Sequence, residues 1–228
     1  MRQNPTPEER LKNAALFLCL AEKLAKNSVI GDRLKIQKCT FLVTLEQFQN
    51  GLKGFDLTFF RHTWGPFSKE LYVVEGLLKD AGLIESKTSP NNETGEVFVL
   101  TEAGVSFASE LCAEIWAEPE NGAFEKTITS IGERFRGVPT PVIVNQVYDL
   151  EVQPIDGPKQ KIRDMRGRMD ITRILESAEA KQEIIIKQGW LETLAIMVSP
   201  ESRRGLEKAN EDLAAGRTRS HAEVWASV

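Results

Sequence analysis

Histidine and cysteine are scarce in this 228-residue chain, which holds two of the first and three of the second. His62 and His221 stand far apart, and no Cys-x-x-Cys, His-Glu-x-x-His, phosphate-loop or Gly-x-Ser-x-Gly pattern occurs. No catalytic constellation, metal site or cofactor site is therefore expected, and the chain reads as non-enzymatic. Cys19, Cys39 and Cys112 are odd in number and each lies in an apolar helical pattern. That predicts buried reduced thiols rather than a disulfide framework. Long apolar runs are missing too. No stretch approaches the roughly 20 residues a bilayer-spanning helix needs, and the N-terminus lacks a signal peptide's apolar centre. A cytoplasmic protein without membrane contact is expected. An excess of positive charge is also absent: 29 Lys and Arg face 33 Asp and Glu, a net charge of -4. Any nucleic-acid contact must then come from a local patch.

Hydrophobic residues make up 41% of the sequence, enough for one sizeable core or for a domain with a helical extension. Leu11, Ala14, Ala15, Leu18, Ala21 and Ala25 recur at helical spacing after the start signal Thr6-Pro7-Glu8-Glu9. Asp32 caps a second helix, Arg33 to about Gln49, which Asn50-Gly51 ends. Leu57 to Phe60 has strand character and Trp64-Gly65-Pro66 breaks it. A third helix is predicted from about Pro66 to Ala81. Leu83 to Lys87 and Val97 to Leu100 read as two strands around the polar turn of residues 89–95, and Thr101 caps the next helix.

Helix, helix, short strand, helix, hairpin, helix is the element order of a winged helix. The fold class expected is mainly α with a small β-hairpin: a winged-helix-like N-terminal domain, residues 1–117, plus a helical C-terminal extension. Glu118 to Gly122 reads as a linker. Residues 123–175 are predicted as a helical extension with a basic segment, and residues 176–228 as a helical partner-binding or dimerisation tail. If the winged helix binds DNA, the helix after Pro66 enters the major groove and the wing touches backbone. Arg61, His62, Ser68, Lys69, Lys79, Lys87 and Asn91 are the candidate contacts, although Glu70, Glu75 and Asp80 on the same helix repel phosphate. Arg163, Arg166 and Arg168 lie in the most positive window of the chain and could hold phosphate or an acidic partner face.

Two stretches carry a family resemblance. Lys35-Ile36-Gln37-Lys38-Cys39-Thr40-Phe41-Leu42 is similar to the Lys-Leu-Gln-Lys-Leu-Leu-Tyr signature of the Panacea (SocA-like) antitoxin domain. Trp64-Gly65-Pro66-Phe67-Ser68-Lys69-Glu70-Leu71 resembles that family's Tyr/Trp-Gly-Pro segment, notably in its YwgA-like relatives. The resemblance covers residues 10 to 115 and fades towards 175. It departs from the pattern at Cys39 and Thr40, where bulky aliphatic residues are usual. It implies an antitoxin that neutralises a cognate toxin by direct contact; such a module could in addition regulate its own operon by contacting operator DNA. A second, shorter resemblance lies in the tail, where Leu206 to Val224, with the run Ser220-His221-Ala222-Glu223-Val224, looks like the end of prevention-of-host-death type antitoxins.

The tail also carries a reading of its own. Ile184, Ile185, Ile186, Trp190, Leu191, Leu194, Met197 and Val198 are predicted to form an apolar stripe on one long helix, residues 172–197. That stripe packs on the chain's own core or docks on a protein partner or second copy. In the docking case Trp64, Trp190, Leu191, Leu194 and Trp225 are the candidate anchors, since tryptophan is enriched among interface hot spots. The competing readings are a winged-helix transcriptional regulator without a toxin, its tail serving dimerisation, and an enzyme accessory.

Overall fold

The structure is a computed structural model and describes residues 4–89 and 92–217. The candidates Asn91 and Trp225, and the tail run from Ser220 to Val224, lie outside the described residues. Its helices are α1 Pro7–Leu24, α2 Arg33–Asn50, α3 Glu70–Asp80, α4 Glu102–Trp116, α5 Gly122–Phe135, α6 Thr140–Asp149, α7 Gln188–Val198 and α8 Pro200–Ala214. The strands are short: β1 Val29–Asp32, β2 Leu52–Lys53, β3 Phe59–His62, β4 Gly65–Phe67, β5 Ile84–Ser89, β6 Asn92–Leu100, β7 Glu151–Val152, β8 Gln160–Lys161, β9 Asp170–Thr172 and β10 Gln182–Glu183. The chain is thus mainly helical with small, mostly antiparallel sheets. Among the described residues no helix is long and apolar enough to cross a membrane.

α1 is the central helix. Its Thr6 side chain accepts from Glu9 N while the Glu9 carboxylate accepts from Thr6 N, a complete capping box. Every residue from Asn13 to Ala21 is buried, so the helix has no solvent stripe, and small residues at Ala14, Ala15 and Ala21 let neighbours close in. It packs on α3, α4, α5 and α7. Asp32 caps α2 by accepting from Lys35 N at 2.8 Å, and Gly51, at φ +72°, ends it in the left-handed conformation.

β5 and β6 form a hairpin with Ile84 opposite Leu100 and Lys87 opposite Val97, and β1 adds to it antiparallel, giving the order β1-β6-β5. Thr101 joins hairpin to α4: its hydroxyl accepts from Gly104 N, and its N–H donates to Leu83 O. A second sheet has the order β4-β3-β9.

Four expectations need correction. The third helix begins at Glu70, because Gly65 to Phe67 pair with β3 as a strand. Residues 172–197 are not one helix: β10 pairs parallel with β2, and only α7 is helical. Three consecutive isoleucines account for this, since β-branched side chains favour extended backbone. Ile184 and Ile186 turn into the core while Ile185 is exposed, the alternation of a strand. Cys19 and Cys112 are joined in a disulfide across α1 and α4, with Cα atoms 5.6 Å apart, and only Cys39 is a free thiol. Glu118–Gly122 is not a gap in the packing either. Asn121 is fully buried, and one apolar cluster runs from Ala14 to Leu194.

Candidate functional site

The two motif stretches meet face to face. Gln37 on α2 reads the backbone of Ser68 reciprocally: its Nε2 donates to Ser68 O at 2.9 Å and its Oε1 accepts from Ser68 N at 3.0 Å. One residue on, Lys38 Nζ donates to the Pro66 carbonyl at 2.9 Å. Both side chains are buried. Lys38 has an acceptor but no acid partner among the described residues, and burial, aided by the nearby Arg61 charge, lowers its pKa to about 7.

Where these segments meet, a cavity of about 410 Å³ opens to the surface. α2 contributes Arg33, Leu34, Gln37 and Lys38 to its wall. The β3–β4 hairpin contributes His62, Trp64, Gly65 and Phe67, and α3 contributes Tyr72. None of these is acidic. Phe67 anchors the aromatic part, 5.5 Å from Phe60, 5.1 Å from the His62 ring and 5.6 Å from Tyr72. Trp64, at the hairpin turn, is 65% exposed. Exposed single apolar side chains are common, but here the exposed indole borders an open apolar hollow.

The hairpin is braced from behind. Tyr148 Oη donates to Thr63 O at 2.9 Å, and Arg61 Nε donates to Ile162 O at 2.9 Å with its guanidinium over the Tyr148 ring. Arg61 N donates to Met169 O, and Arg168 N donates to Arg61 O. The basic segment therefore runs alongside the hairpin, an adjacency across about a hundred residues that no local pattern announces.

The sequence candidates divide. Trp64 and His62 line the cavity. Lys69 is exposed but lines a separate hollow with Glu70 and Asp170, and Arg166 and Arg168 are exposed on the loop before β9. Ser68 is completely buried. Lys79 pairs with Glu96 at 3.2 Å and lies over the Phe98 ring, Lys87 pairs with Glu85 at 2.8 Å, and Arg163 is bonded to Asp149. Leu191 and Leu194 belong to the chain's own core, and Trp190 packs edge-on against Phe107 at 5.6 Å. In the sequence Lys38 and Gln37 stand out only as members of a motif. A buried lysine cannot be told from a solvated one by periodicity, so nothing in the sequence marked it. Compared with known protein families and with characterised proteins, the chain matches none.

Proposed function

We propose that the chain is a non-catalytic protein-binding module of antitoxin type, built on a winged helix, which grips its partner through the Trp64 hairpin and the cavity beneath it. The observation that carries this reading is the exposed Trp64 over an apolar hollow made by the two motif segments. The sheet order β1-β6-β5, with α1 and β1 before α2 and with α3 leading into the hairpin, supports the winged-helix assignment. The outer face of α3 supports a protein rather than DNA as partner. It exposes Tyr72 and Val73, both apolar in body, where a recognition helix would present cations. Lys79 and Lys87 are engaged in ion pairs, which also weighs against the regulator reading.

Affinity capture from the native host tests the proposal. Wild type retains a stoichiometric protein, and Trp64→Ala, folded as judged by its unfolding transition, retains at least tenfold less of the same protein. Equal recovery on both baits, or a wild-type bait that retains only operator DNA, overturns the reading.

A further inference from the structure

In the cavity beneath Trp64 the Lys38 amine has no acidic partner among the described residues. Arg33, its neighbour in the wall, is neutralised by Glu75 at 3.0 Å and Glu96 at 3.2 Å. Lys38 is not: of the three donors an ammonium carries, the Pro66 carbonyl takes one, and no carboxylate reaches it among the described residues. A buried charge is stable only when paired and hydrogen-bonded. Gly65 keeps the approach clear. At φ +90°, a Cβ there would sit 3.3 Å from Lys38 Cε and 3.4 Å from Nζ, crowding the amine. Outside the cavity, exposed Arg166 and Arg168 extend the positive face along the hairpin.

We propose that this cavity is a carboxylate site, in which Lys38 pairs with an acidic side chain of the partner protein while Trp64, Phe67 and Tyr72 hold an apolar residue beside that acid. This rests on the protein-binding reading above and names the chemistry of the group that enters. The volume, about 410 Å³, suits one or two side chains, not a folded element.

The site is pH-dependent by construction. Burial lowers the free Lys38 to about 7, so the amine is partly neutral near neutral pH. An incoming carboxylate favours the ammonium, and binding therefore takes up a proton. Affinity falls as pH rises above about 7, by up to tenfold per unit. The charged and titratable groups around Lys38 are Arg33 and Lys35 on its own helix, Arg61 and His62 on β3, Tyr72 and Glu75 on α3, and Tyr148 on α6. Lys35 faces a different hollow, beside Asp32 and Thr140, and Glu75 is held by Arg33. The Lys38→Met variant removes the response of Lys38 and leaves the other groups in place.

The experiment is an NMR titration of the full chain that follows the Trp64 indole N–H. The probes are two capped tetrapeptides, Gly-Asp-Phe-Gly and Gly-Asn-Phe-Gly, and 3-phenylpropionate. At pH 6.5 the Asp peptide binds at least tenfold more tightly than the Asn peptide. The ratio shrinks on raising the pH to 8.5 and falls to about one in Lys38→Met. Should that variant fail to fold, the pH series is run on His62→Gln, in which the ratio must still shrink between pH 6.5 and 8.5 if Lys38 is the group responsible. Equal affinities for the two peptides, or no saturable shift of Trp64, overturns the proposal. So does tighter binding of 3-phenylpropionate, which would make the ligand a free acid. If the peptides fail while Trp64→Ala still abolishes capture of the partner, the carboxylate assignment alone falls.

Discussion

Lys53 is 3% exposed at its side chain and lies between two carboxylates, 2.9 Å from Glu9 and 2.7 Å from Asp56. Asn13 secures the same corner by accepting from Asp56 N and donating to Asp56 O. Removing the cation strands two buried acids. Lys53→Met should therefore destabilise the fold by about 3–5 kcal/mol, read as a lowered urea midpoint. Asp56 carries a pH signature as well. Burial is the largest influence on its carboxyl and outweighs Lys53, raising it to about 6. Its ordinary value is roughly 3.9, so the folded state binds this proton more tightly than the unfolded chain. The contribution is present in full below about pH 4 and is lost as pH rises through about 6. Asp56→Asn should gain on wild type in urea midpoint between pH 4.5 and 6.5; a constant difference would refute the shift. None of this was legible beforehand. The capping acids Glu8 and Glu9 read as helix-start signals, and Glu9 is that, but the chain folds back so that the same carboxylate also neutralises a lysine forty-four residues on. Lys38 escaped for the same reason, since charge patterning places lysines in solvent unless a tertiary contact says otherwise.

Helices with their own caps and breaks were readable one at a time. Thr6, Asp32 and Thr101 each accept the backbone N–H that their positions foretold. What failed were features set by partners distant in sequence. The apolar run of residues 184–186 is helical by spacing and extended in the molecule, because β2 offers an edge for β10 and Asn121 receives Ile185 through two hydrogen bonds. The cysteines make the point again. Their helical patterns are real, yet α1 and α4 cross at that level and join Cys19 to Cys112 across 93 residues. Closing so long a loop restricts the unfolded chain, and such bonds typically contribute about 2–4 kcal/mol. A reductant should lower the unfolding free energy of the wild type by that amount, read from urea titrations, and leave Cys112→Ser unmoved. Cys39 does not confuse the measurement, because burial pushes its thiol up to about 12.

Continuity of the core decides how the whole molecule responds to cleavage and denaturant. Pro119, Glu120, Asn121 and Gly122 have the composition of a linker, and on that basis the helices beyond would form separate extensions. The structure ties that corner down instead. Asn121 Nδ2 donates to Ile115 O at 2.8 Å and to Ile185 O at 2.7 Å, and its Oδ1 accepts from Ile185 N at 3.0 Å. α5 then inserts against α1 and α2 with Phe124, Ile128 and Phe135 buried. The return through β9 places the Thr172 hydroxyl between Phe59 N and Leu57 O, so the hairpin that carries Trp64 is clamped by a segment more than a hundred residues downstream. Residues 4–198 should consequently unfold in one transition, and amides of α5 and α7 should share the slow hydrogen exchange of α1. Asn121→Ala leaves Ile185 N and Ile185 O without their partner, takes one of its donors from Ile115 O, and should cost about 1–3 kcal/mol. In limited proteolysis the wild type should resist cutting at residues 118–122, with the variant cut faster there. Early cleavage of the wild type at that corner, leaving an N-terminal fragment that still unfolds cooperatively, would show instead that the motif-bearing half stands alone.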